Sequence, residues 1–386
     1  MKTNIARLAS SMTIALGTSL ASVALAQNTL LTYVDSTLDA VILLDPVTGA
    51  PVNFSFIGDI NDPQTYDLST PIEAIQVNDE IWLSDQISDA IFRFTANETA
   101  PTFIAAIRGQ VDNMRGLAKV GNRVYVSNAG TANGAPGSAI LVYETDGTRV
   151  GHIVVTNPLT NLPVDPFDVA DFNGRLLITD IQGEDLVVCD VDGSNVQVLF
   201  DGNSNLMDFP QQVTVSNTGP GNTQELWVNA FSSPAGVYRF STAGVQLNYY
   251  PVTTGGRGVW PLPDASGAAL KFLFTDGVVV TGGLQIFDTG TGLSSQFFGG
   301  GGRFIAKVTF IPPLVCNDID MNNDGSSFDP QDIDAFLSVF SEGPCIPDTN
   351  ICDNIDFNND GSIFDPCDID SFLVQFSEGP CTLCGT

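Results

Sequence analysis

The stretch Ile81-Trp-Leu-Ser-Asp85 shows the feature that decides the fold, an apolar run that ends in a small polar pair. Related runs recur roughly every forty to fifty residues between Asn28 and about Pro313, separated by Gly, Asp, Asn and Pro. Short apolar runs between turn residues indicate β-strands, and a repeat of this length is typical of β-propeller blades. The six runs are Leu31–Asp35, Ile81–Asp85, Val124–Asn128, Leu176–Asp180, Leu226–Ala230 and Leu273–Asp276.

Six runs predict a six-bladed β-propeller, and a second apolar strand such as Ala90–Phe94 follows most of them. The first run lacks a strand before it, whereas Phe304–Phe310 is a strand with no run after it. We therefore expect the last strand to complete the first blade and leave no open edge. The alternative is a pair of β-sandwiches. The pattern resembles NHL-type and related six-bladed propellers, a resemblance that says little about function.

Residues 316–386 differ in composition, and two segments repeat there with a period of 36 residues. Each contains the spacing Asp-x-Asn-x-Asp-Gly, first from Asp320 and again from Asp356. Alternate oxygen-bearing side chains converge on one point, which suits calcium, and the glycine permits the sharp turn. In each repeat an Asp-Pro pair follows, which predicts a helix with proline at its first position. Ile333, Phe336, Leu337 and Phe340, and their counterparts in the second repeat, have helical spacing.

These repeats resemble the dockerin family, whose type I repeats open in the same way and close with an Asp. The cysteine-bounded form is similar to the GC-type variant. The resemblance implies Ca²⁺ as the cofactor and docking through helix faces onto a cohesin-like partner protein or a surface. The closing carboxylates here come one residue later than in the family. The alternative is an Asx-rich turn without metal. The implied metal ligands are Asp320, Asn322, Asp324 and Asp332, with Asp356, Asn358, Asp360 and Asp368 in the second loop.

Residues 1–26 have the pattern of a signal peptide: basic residues, an apolar run, and a small-x-small site at Ala24-Leu25-Ala26. The apolar run is too short to be a membrane anchor, and no other stretch is long enough to span a bilayer. We therefore predict a secreted protein, extracellular or at the cell surface.

The chain carries 44 acidic and 14 basic residues, a formal net charge of -30. This balance excludes a nucleic-acid partner, because no basic surface exists to neutralise phosphates. Residues 316–386 contain 15 Asp or Glu and no Lys, Arg or His, so this segment would repel itself without cations. The charge pattern supports calcium binding.

Six of the seven cysteines lie in the acidic segment, as in small exported domains that need disulfides. Six cysteines allow 15 pairings, which the sequence leaves open. The repeat symmetry favours Cys316 with Cys345 and Cys352 with Cys381, leaving Cys367 for Cys384. Zinc fits poorly, because Cys381-x-x-Cys384 is the one CxxC spacing in this segment.

Two sets of charged residues are expected at one mouth of the propeller. The polar residues that end the runs, Asp35, Asp85, Asn128, Asp180 and Asp276, either form a site or satisfy the turns that follow them. Arg115, Arg257 and Arg303 replace the prolines that open the other blades, and we predict that they bind an anionic small molecule or glycan, such as a uronic-acid sugar. The alternative is that these arginines pair with aspartates and hold neighbouring blades together.

No catalytic residue is singled out. His152 is the one histidine and lies in a predicted strand rather than in a loop. A Ser-His-Asp triad would need another imidazole, and the sequence contains none. Cys189 lies within a strand and is expected in the core. Many aspartates could supply a carboxylate pair for glycoside hydrolysis, but the sequence distinguishes none of them.

The sequence thus predicts an all-β chain: a six-bladed β-propeller over residues 28–313 and a small α-helical, calcium-binding, dockerin-like C-terminal domain over residues 316–386. The propeller is expected to be a binding or scaffold module that the C-terminal domain attaches to its partner. The competing hypothesis is an extracellular polysaccharide-degrading hydrolase or lyase with a dockerin anchor. A converging acid–base set at the propeller mouth would distinguish an enzyme from a binding module.

Overall fold

The computed structural model describes residues 28–58, 66–252, 255–264, 266–277, 282–310, 319–321, 330–341, 357 and 366–376. The chain divides into two compact units: one is Asn28–Phe310, and the other includes Ile311–Thr386. Each unit has a hydrophobic core of its own.

The described residues of Asn28–Phe310 form 24 strands arranged as six antiparallel sheets of four strands each. β4–β7, β8–β11, β12–β15, β16–β19 and β20–β23 each form one blade, and β24 joins β1–β3. The predicted six-bladed β-propeller is therefore confirmed. The strands are β1 (Asn28–Asp35), β2 (Ala40–Leu44), β3 (Pro51–Gly58), β4 (Pro71–Val77), β5 (Glu80–Asp85), β6 (Ala90–Thr95), β7 (Phe103–Ile107), β8 (Met114–Val120), β9 (Arg123–Asn128), β10 (Ala139–Glu144), β11 (Arg149–Ile153), β12 (Pro166–Phe172), β13 (Arg175–Asp180), β14 (Asp185–Cys189), β15 (Gln197–Phe200), β16 (Pro210–Gly219), β17 (Thr223–Ala230), β18 (Gly236–Ser241), β19 (Gln246–Pro251), β20 (Gly256–Pro263), β21 (Ala269–Asp276), β22 (Gly283–Asp288), β23 (Leu293–Phe298) and β24 (Gly302–Phe310).

The ring closes as the sequence predicted, because the last strand pairs with the first. β24 runs antiparallel to β1, with Asn28 opposite Phe310 and Tyr33 opposite Ile305. The innermost strands β4, β8, β12, β16, β20 and β24 contact one another in a closed cycle. Chain ends that meet in one sheet leave no unpaired inner edge between the first and last blades.

The Ser or Thr in the polar pair that ends most runs forms hydrogen bonds with backbone groups of the inner strands. An irregularity in register near the start of each inner strand, as between Pro71 and Glu73, frees backbone groups from the ladder. The Ser or Thr of the pair bonds these groups: Ser84 Oγ accepts from the Glu73 N–H at 3.3 Å and donates to the Arg115 carbonyl of the next blade at 2.5 Å. Thr275 Oγ1 likewise donates to the Arg303 carbonyl at 2.6 Å.

The core of the propeller lies between neighbouring blades. One cluster joins Trp82 and Ile91 of the second blade to Leu117 and Val126 of the third. Trp82 is fully buried, and its indole Nε1 donates to Glu80 at 2.8 Å. Burying a side chain of this kind typically stabilises by about 1.5–3 kcal/mol, so each apolar run both forms a strand and joins two blades.

Helices are few among the described residues. A 3-10 turn spans Ala132–Gly134, and a single helical turn, α1 (Gly202–Asn205), connects two blades; the side chain of Asp201 caps it by accepting from the Ser204 N–H. The C-terminal unit contains α2 (Pro330–Phe340) and α3 (Pro366–Phe376), which begin at the predicted prolines. Within the described ranges, no helix has the length and apolar character needed to cross a membrane.

Candidate functional site

The inner strands have two ends, and we call the end formed by their first residues the N-terminal mouth. Asp35 and Asp85, two of the acidic residues predicted there, satisfy backbone groups of turns. Asp85 accepts from the N–H groups of Ser69, Thr70, Ile87 and Ser88 at 2.8–3.2 Å. Asp35 accepts from Thr37, Leu38 and Gly301 and from the Tyr33 hydroxyl. The structural alternative given above for these residues therefore holds for both aspartates.

The predicted alignment of arginines with prolines is wrong by one residue. Pro71 lies opposite Asp85, the last residue of the second strand of its blade. In the three strands that carry the arginines, the residue opposite that last position is Met114, Gly256 or Gly302. Arg115, Arg257 and Arg303 each come one position later and correspond to Ile72, Phe167 and Gln211. A shift of one residue in a strand moves the side chain to the other face, which a pattern of isolated residues does not reveal.

Arg115 holds two blades together. Its guanidinium lies 4.6 Å from the centre of the Phe167 ring and 3.7 Å from Asp165 Oδ1, and Nη1 donates to the Pro166 carbonyl at 3.3 Å. Burial lowers the pKa of Arg115, and the charge of Asp165 opposes that shift. For this residue the structure favours the role of a tie between blades.

Arg257 and Arg303 lie close enough to repel each other. Burial and the charge of Arg257 lower the pKa of Arg303 to about 9, against the effect of Asp35 and Asp85. The Nε of Arg303 donates to Ser36 Oγ at 2.8 Å. The Nε of Arg257 is buried and has no hydrogen-bond partner among the described residues, although its guanidinium lies 4.9 Å from the centre of the Phe231 ring. The Nε of Arg115 is also buried without a hydrogen-bond partner among the described residues, so Arg115 and Arg257 each carry an unsatisfied donor.

All six inner strands line an axial cavity of about 290 Å³, whose lining extends from the middle of these strands towards their last residues. We call this end the C-terminal mouth. The deep part of the cavity is lined by Glu73 and Asp168, which are 5% and 1% exposed. The part near the solvent is lined by Lys119, Trp260 and Lys307.

Glu73 and Asp168 form a buried carboxyl pair. Asp168 accepts from the N–H groups of Val169 and Val213 at 2.8 Å, and Glu73 Oε2 accepts from the Leu117 N–H at 2.5 Å. Burial raises the pKa of Asp168 to about 8. Burial and the charge of Asp168 raise the pKa of Glu73 well above its ordinary value. Burial thus favours the protonated form of both carboxyl groups.

Gly116 allows this pair to approach. A Cβ at this position would collide with Oδ1 of Asp168, so the backbone of β8 lies against the carboxylate. The pair was not predicted, although the sequence contains a signal for it. Pro71-Ile-Glu73, Pro166-Phe-Asp168 and Pro210-Gln-Gln212 place an acceptor two residues after each opening proline. In all three cases that acceptor bonds a backbone N–H of the next blade.

The C-terminal unit has a core built from both repeats. Phe336 of α2 stacks on Phe372 of α3 with ring centres 4.2 Å apart, and Phe357 meets both rings edge-on. Asp332 and Asp368, in the first turns of the two helices, are each 0% exposed. Asp368 Oδ1 accepts from the Phe357 N–H at 2.8 Å, which holds this carboxylate beside the second residue of the predicted calcium loop.

Several predicted residues lie outside the described ranges. Among the metal ligands these are Asn322, Asp324, Asp356, Asn358 and Asp360; among the cysteines they are Cys316, Cys345, Cys352, Cys381 and Cys384, together with the side chain of Cys367. Within the ranges described, no three His, Cys, Asp or Glu side chains are grouped as a metal site. Cys189 is buried and free, and burial raises its pKa to about 11; His152 lies in β11.

No protein-family model and no curated protein matches the chain. Among solved structures, a chain of a nidogen/laminin complex is 14% identical with a TM-score of 0.49, covering 72% of this chain and 98% of that chain. A putative 6-phosphogluconolactonase from Bacteroides fragilis is 11% identical with a TM-score of 0.48, covering 72% and 98%. Apo AztD from Citrobacter koseri is 11% identical with a TM-score of 0.43, covering 73% and 98%. These likenesses concern the fold alone.

Proposed function

We propose that this chain is an exported calcium-binding protein, in which a dockerin-like C-terminal unit attaches a β-propeller binding module to a partner protein or surface. The observation that carries the proposal is the burial of Asp332 and Asp368 at equivalent positions of two helices, in a segment without Lys, Arg or His. A buried carboxylate is unfavourable unless a cation or several donors compensate it. A divalent cation in each loop would neutralise carboxylates for which residues 316–386 contain no Lys, Arg or His.

The residues present fit calcium, because all the proposed ligands are oxygen donors. Asp368 uses Oδ1 for the Phe357 N–H and is held beside the start of its loop. Calcium would be held by Asp320, Asn322, Asp324 and Asp332 in the first loop and by the matching residues Asp356, Asn358, Asp360 and Asp368 in the second. When bound, the ion neutralises the acidic loop and links it to the helix that follows.

Attachment to a cohesin-like partner is supported by the outer faces of the helices. Leu337 of α2 and Leu373 of α3 occupy the same position in the two repeats, and each is 50% exposed. The apolar spacing predicted from the sequence thus includes one leucine per helix that lies outside the core. Two equivalent exposed leucines suit a partner that recognises a helix face.

Two further proposals concern the propeller. An anionic ligand at the N-terminal mouth is supported by Arg257, whose buried Nε has no partner within the described ranges, and by the neighbouring Arg303. The alternative function, a polysaccharide-degrading enzyme, is supported by Glu73 and Asp168, because a carboxyl group with a raised pKa can act as a general acid.

The calcium proposal is tested on the full-length protein by calorimetric titration and by thermal unfolding with calcium or chelator. At calcium a hundredfold above Kd, the C-terminal unit should gain about 2.7 kcal/mol. The double variant D332N/D368N should lose this gain. The matched control is D334N/D370N, which alters exposed aspartates of the same helices. No heat of binding, together with unfolding that chelator does not change, would refute calcium binding.

Attachment is tested separately with purified cohesin modules immobilised in calcium buffer. The wild-type protein should be retained, and L337D/L373D should be released while calcium still stabilises it. Equal retention of both proteins would place the partner elsewhere on the chain.

A further inference from the structure

The axial cavity continues into a second cavity of about 340 Å³ on the same side of the propeller. Val215, Trp260 and Lys307 line both cavities, so the two form one groove that leads from the axis outwards. The outer part is lined by Pro46, Pro261 and Pro263 together with polar groups from Ser216 and Asn217. A groove with an aromatic wall and a few polar groups is the usual form of a site for a small extended ligand.

The groove carries two lysines that form no ion pair, near Asp171, which accepts from the Gly174 N–H. The propeller has three lysines, Lys119, Lys271 and Lys307, and two of them line the axial cavity. Lys271 lies 3.9 Å from Asp288, whereas Lys119 and Lys307 form no ion pair with any described residue. In a chain of net charge -30, unpaired ammonium groups at a cavity are suited to a ligand that brings its own anion.

The deep end of the axial cavity offers hydrogen bonds. Glu73 is 5% exposed, and its Oε2 accepts from Leu117 N, while its Oε1 makes no hydrogen bond with the described residues. A nearly buried carboxyl oxygen without a protein partner needs one from a ligand or from water. Asp168 accepts from two backbone N–H groups, one on each carboxylate oxygen. Glu73 is therefore the member of the pair with an oxygen available to a ligand.

We propose that this groove binds an acidic oligosaccharide, with a terminal sugar acid in the axial cavity. The hydroxyl groups of that sugar would meet Glu73, its carboxylate would meet Lys119 and Lys307, and the apolar face of its ring would lie on Trp260. A ligand of this class combines the three features that the groove offers, namely a hydroxyl-rich end, an anion and a flat apolar face. The outer cavity receives the next sugars of the chain. The site is distinct from the N-terminal mouth and independent of attachment by the C-terminal unit.

The test uses the full-length protein and a panel of trisaccharides of galacturonate, glucuronate and mannuronate, with binding measured by calorimetry. At least one acidic trisaccharide should bind, and its affinity should fall as salt is added. K119Q/K307Q should weaken binding roughly tenfold or more, and W260A should weaken it by a similar factor. The matched control is K271Q, which removes the same charge from the paired lysine and should bind as the wild type does.

E73Q keeps a carbonyl oxygen that can accept from the Leu117 N–H, but it replaces the carboxyl group that faces the sugar with an uncharged amide. It should weaken binding while the melting temperature stays within a few degrees of the wild type. R257Q/R303Q removes the arginines of the N-terminal mouth and should bind the trisaccharide as the wild type does. This variant therefore distinguishes binding at the N-terminal mouth from binding in the groove. The proposal is overturned if no acidic trisaccharide binds, if K271Q loses as much as K119Q/K307Q, or if maltotriose or a hexaglutamate peptide binds equally well.

Discussion

The two mouths of the propeller are built from the same six strands, yet they use their polar side chains differently. At the N-terminal mouth Asp85 accepts four backbone N–H groups, and Arg115 bridges to the next blade. At the C-terminal mouth Lys119 and Lys307 form no ion pair with the described residues, and Asp171 accepts a single N–H from its own turn.

The difference has a cause in the backbone. Every inner strand has an irregular register near its start, for example between Met114 and Leu117 and between Gly256 and Val259, so unpaired backbone groups collect at the N-terminal mouth. Buried backbone donors must be satisfied, and nearby polar side chains are drawn into that task. β16 and β20 are irregular again in their later halves, whereas the later halves of β8 and β24 pair regularly. The side chains of Lys119 and Lys307, on β8 and β24, are therefore available for a ligand.

The largest expected effect comes from removing a turn acceptor. D85A leaves the buried N–H of Thr70 and the partly buried N–H groups of Ser69 and Ser88 without their acceptor and should lower the free energy of unfolding by about 3 kcal/mol or more. D171A, at the opposite mouth, should stay within about 0.5 kcal/mol of the wild type because Asp171 is exposed. Denaturant unfolding measures both variants. Equal losses would contradict the contrast between the mouths.

A smaller effect is expected from two substitutions on one strand. R115Q removes the ion pair with Asp165 and the contact with the Phe167 ring and should cost about 1–3 kcal/mol. K119Q, four positions later on β8, should leave stability unchanged within about 0.5 kcal/mol. Thermal and denaturant unfolding should agree on this order. A larger loss for K119Q would show that Lys119 has a structural partner.

The buried carboxyl pair predicts a pH dependence of moderate size. Because the folded-state pKa values of Glu73 and Asp168 are raised, the folded protein binds more protons than the unfolded chain. Their stabilising contribution is complete below about pH 4 and is lost as the pH rises through about 8.

E73Q tests this dependence, because it removes one charge of the pair and should flatten the decline. At about pH 8 it should melt above the wild type, and at about pH 5 the two should melt alike. Lys119, Lys307 and Asp171 face the same cavity and are left unchanged by the substitution. Parallel curves for the two proteins would show that the pair does not titrate in this range.

The smallest effect on stability is expected for R257Q. Burial lowers the pKa of Arg257, and its charge lowers that of Arg303, so its removal relieves a repulsion and should leave stability unchanged or slightly higher. If the N-terminal mouth binds an anion, R257Q should nevertheless lose the acidic-glycan binding that remains in the K119Q/K307Q background. A variant that unfolds would instead assign Arg257 to the contacts that hold blades together.

The sequence alone determined the repeating part of this protein. The runs that end in residues such as Asp35 and Asp85 predicted six blades, and the orphan strand at Phe304–Phe310 predicted how the ring closes. Pro330 and Pro366 marked the starts of the two C-terminal helices correctly. These features depend on periodicity and on local backbone preferences, which a linear pattern records directly.

Only the tertiary structure decided which residues meet. The arginines fall one position later than their apparent alignment with prolines, because the register with the second strand of each blade is irregular at that point. Glu73 meets Asp168, and Lys119 and Lys307 line the same cavity, although these residues come from four different blades. Such meetings depend on how six blades close around an axis and how far each inner strand extends along it, and no local spacing in the sequence encodes that distance.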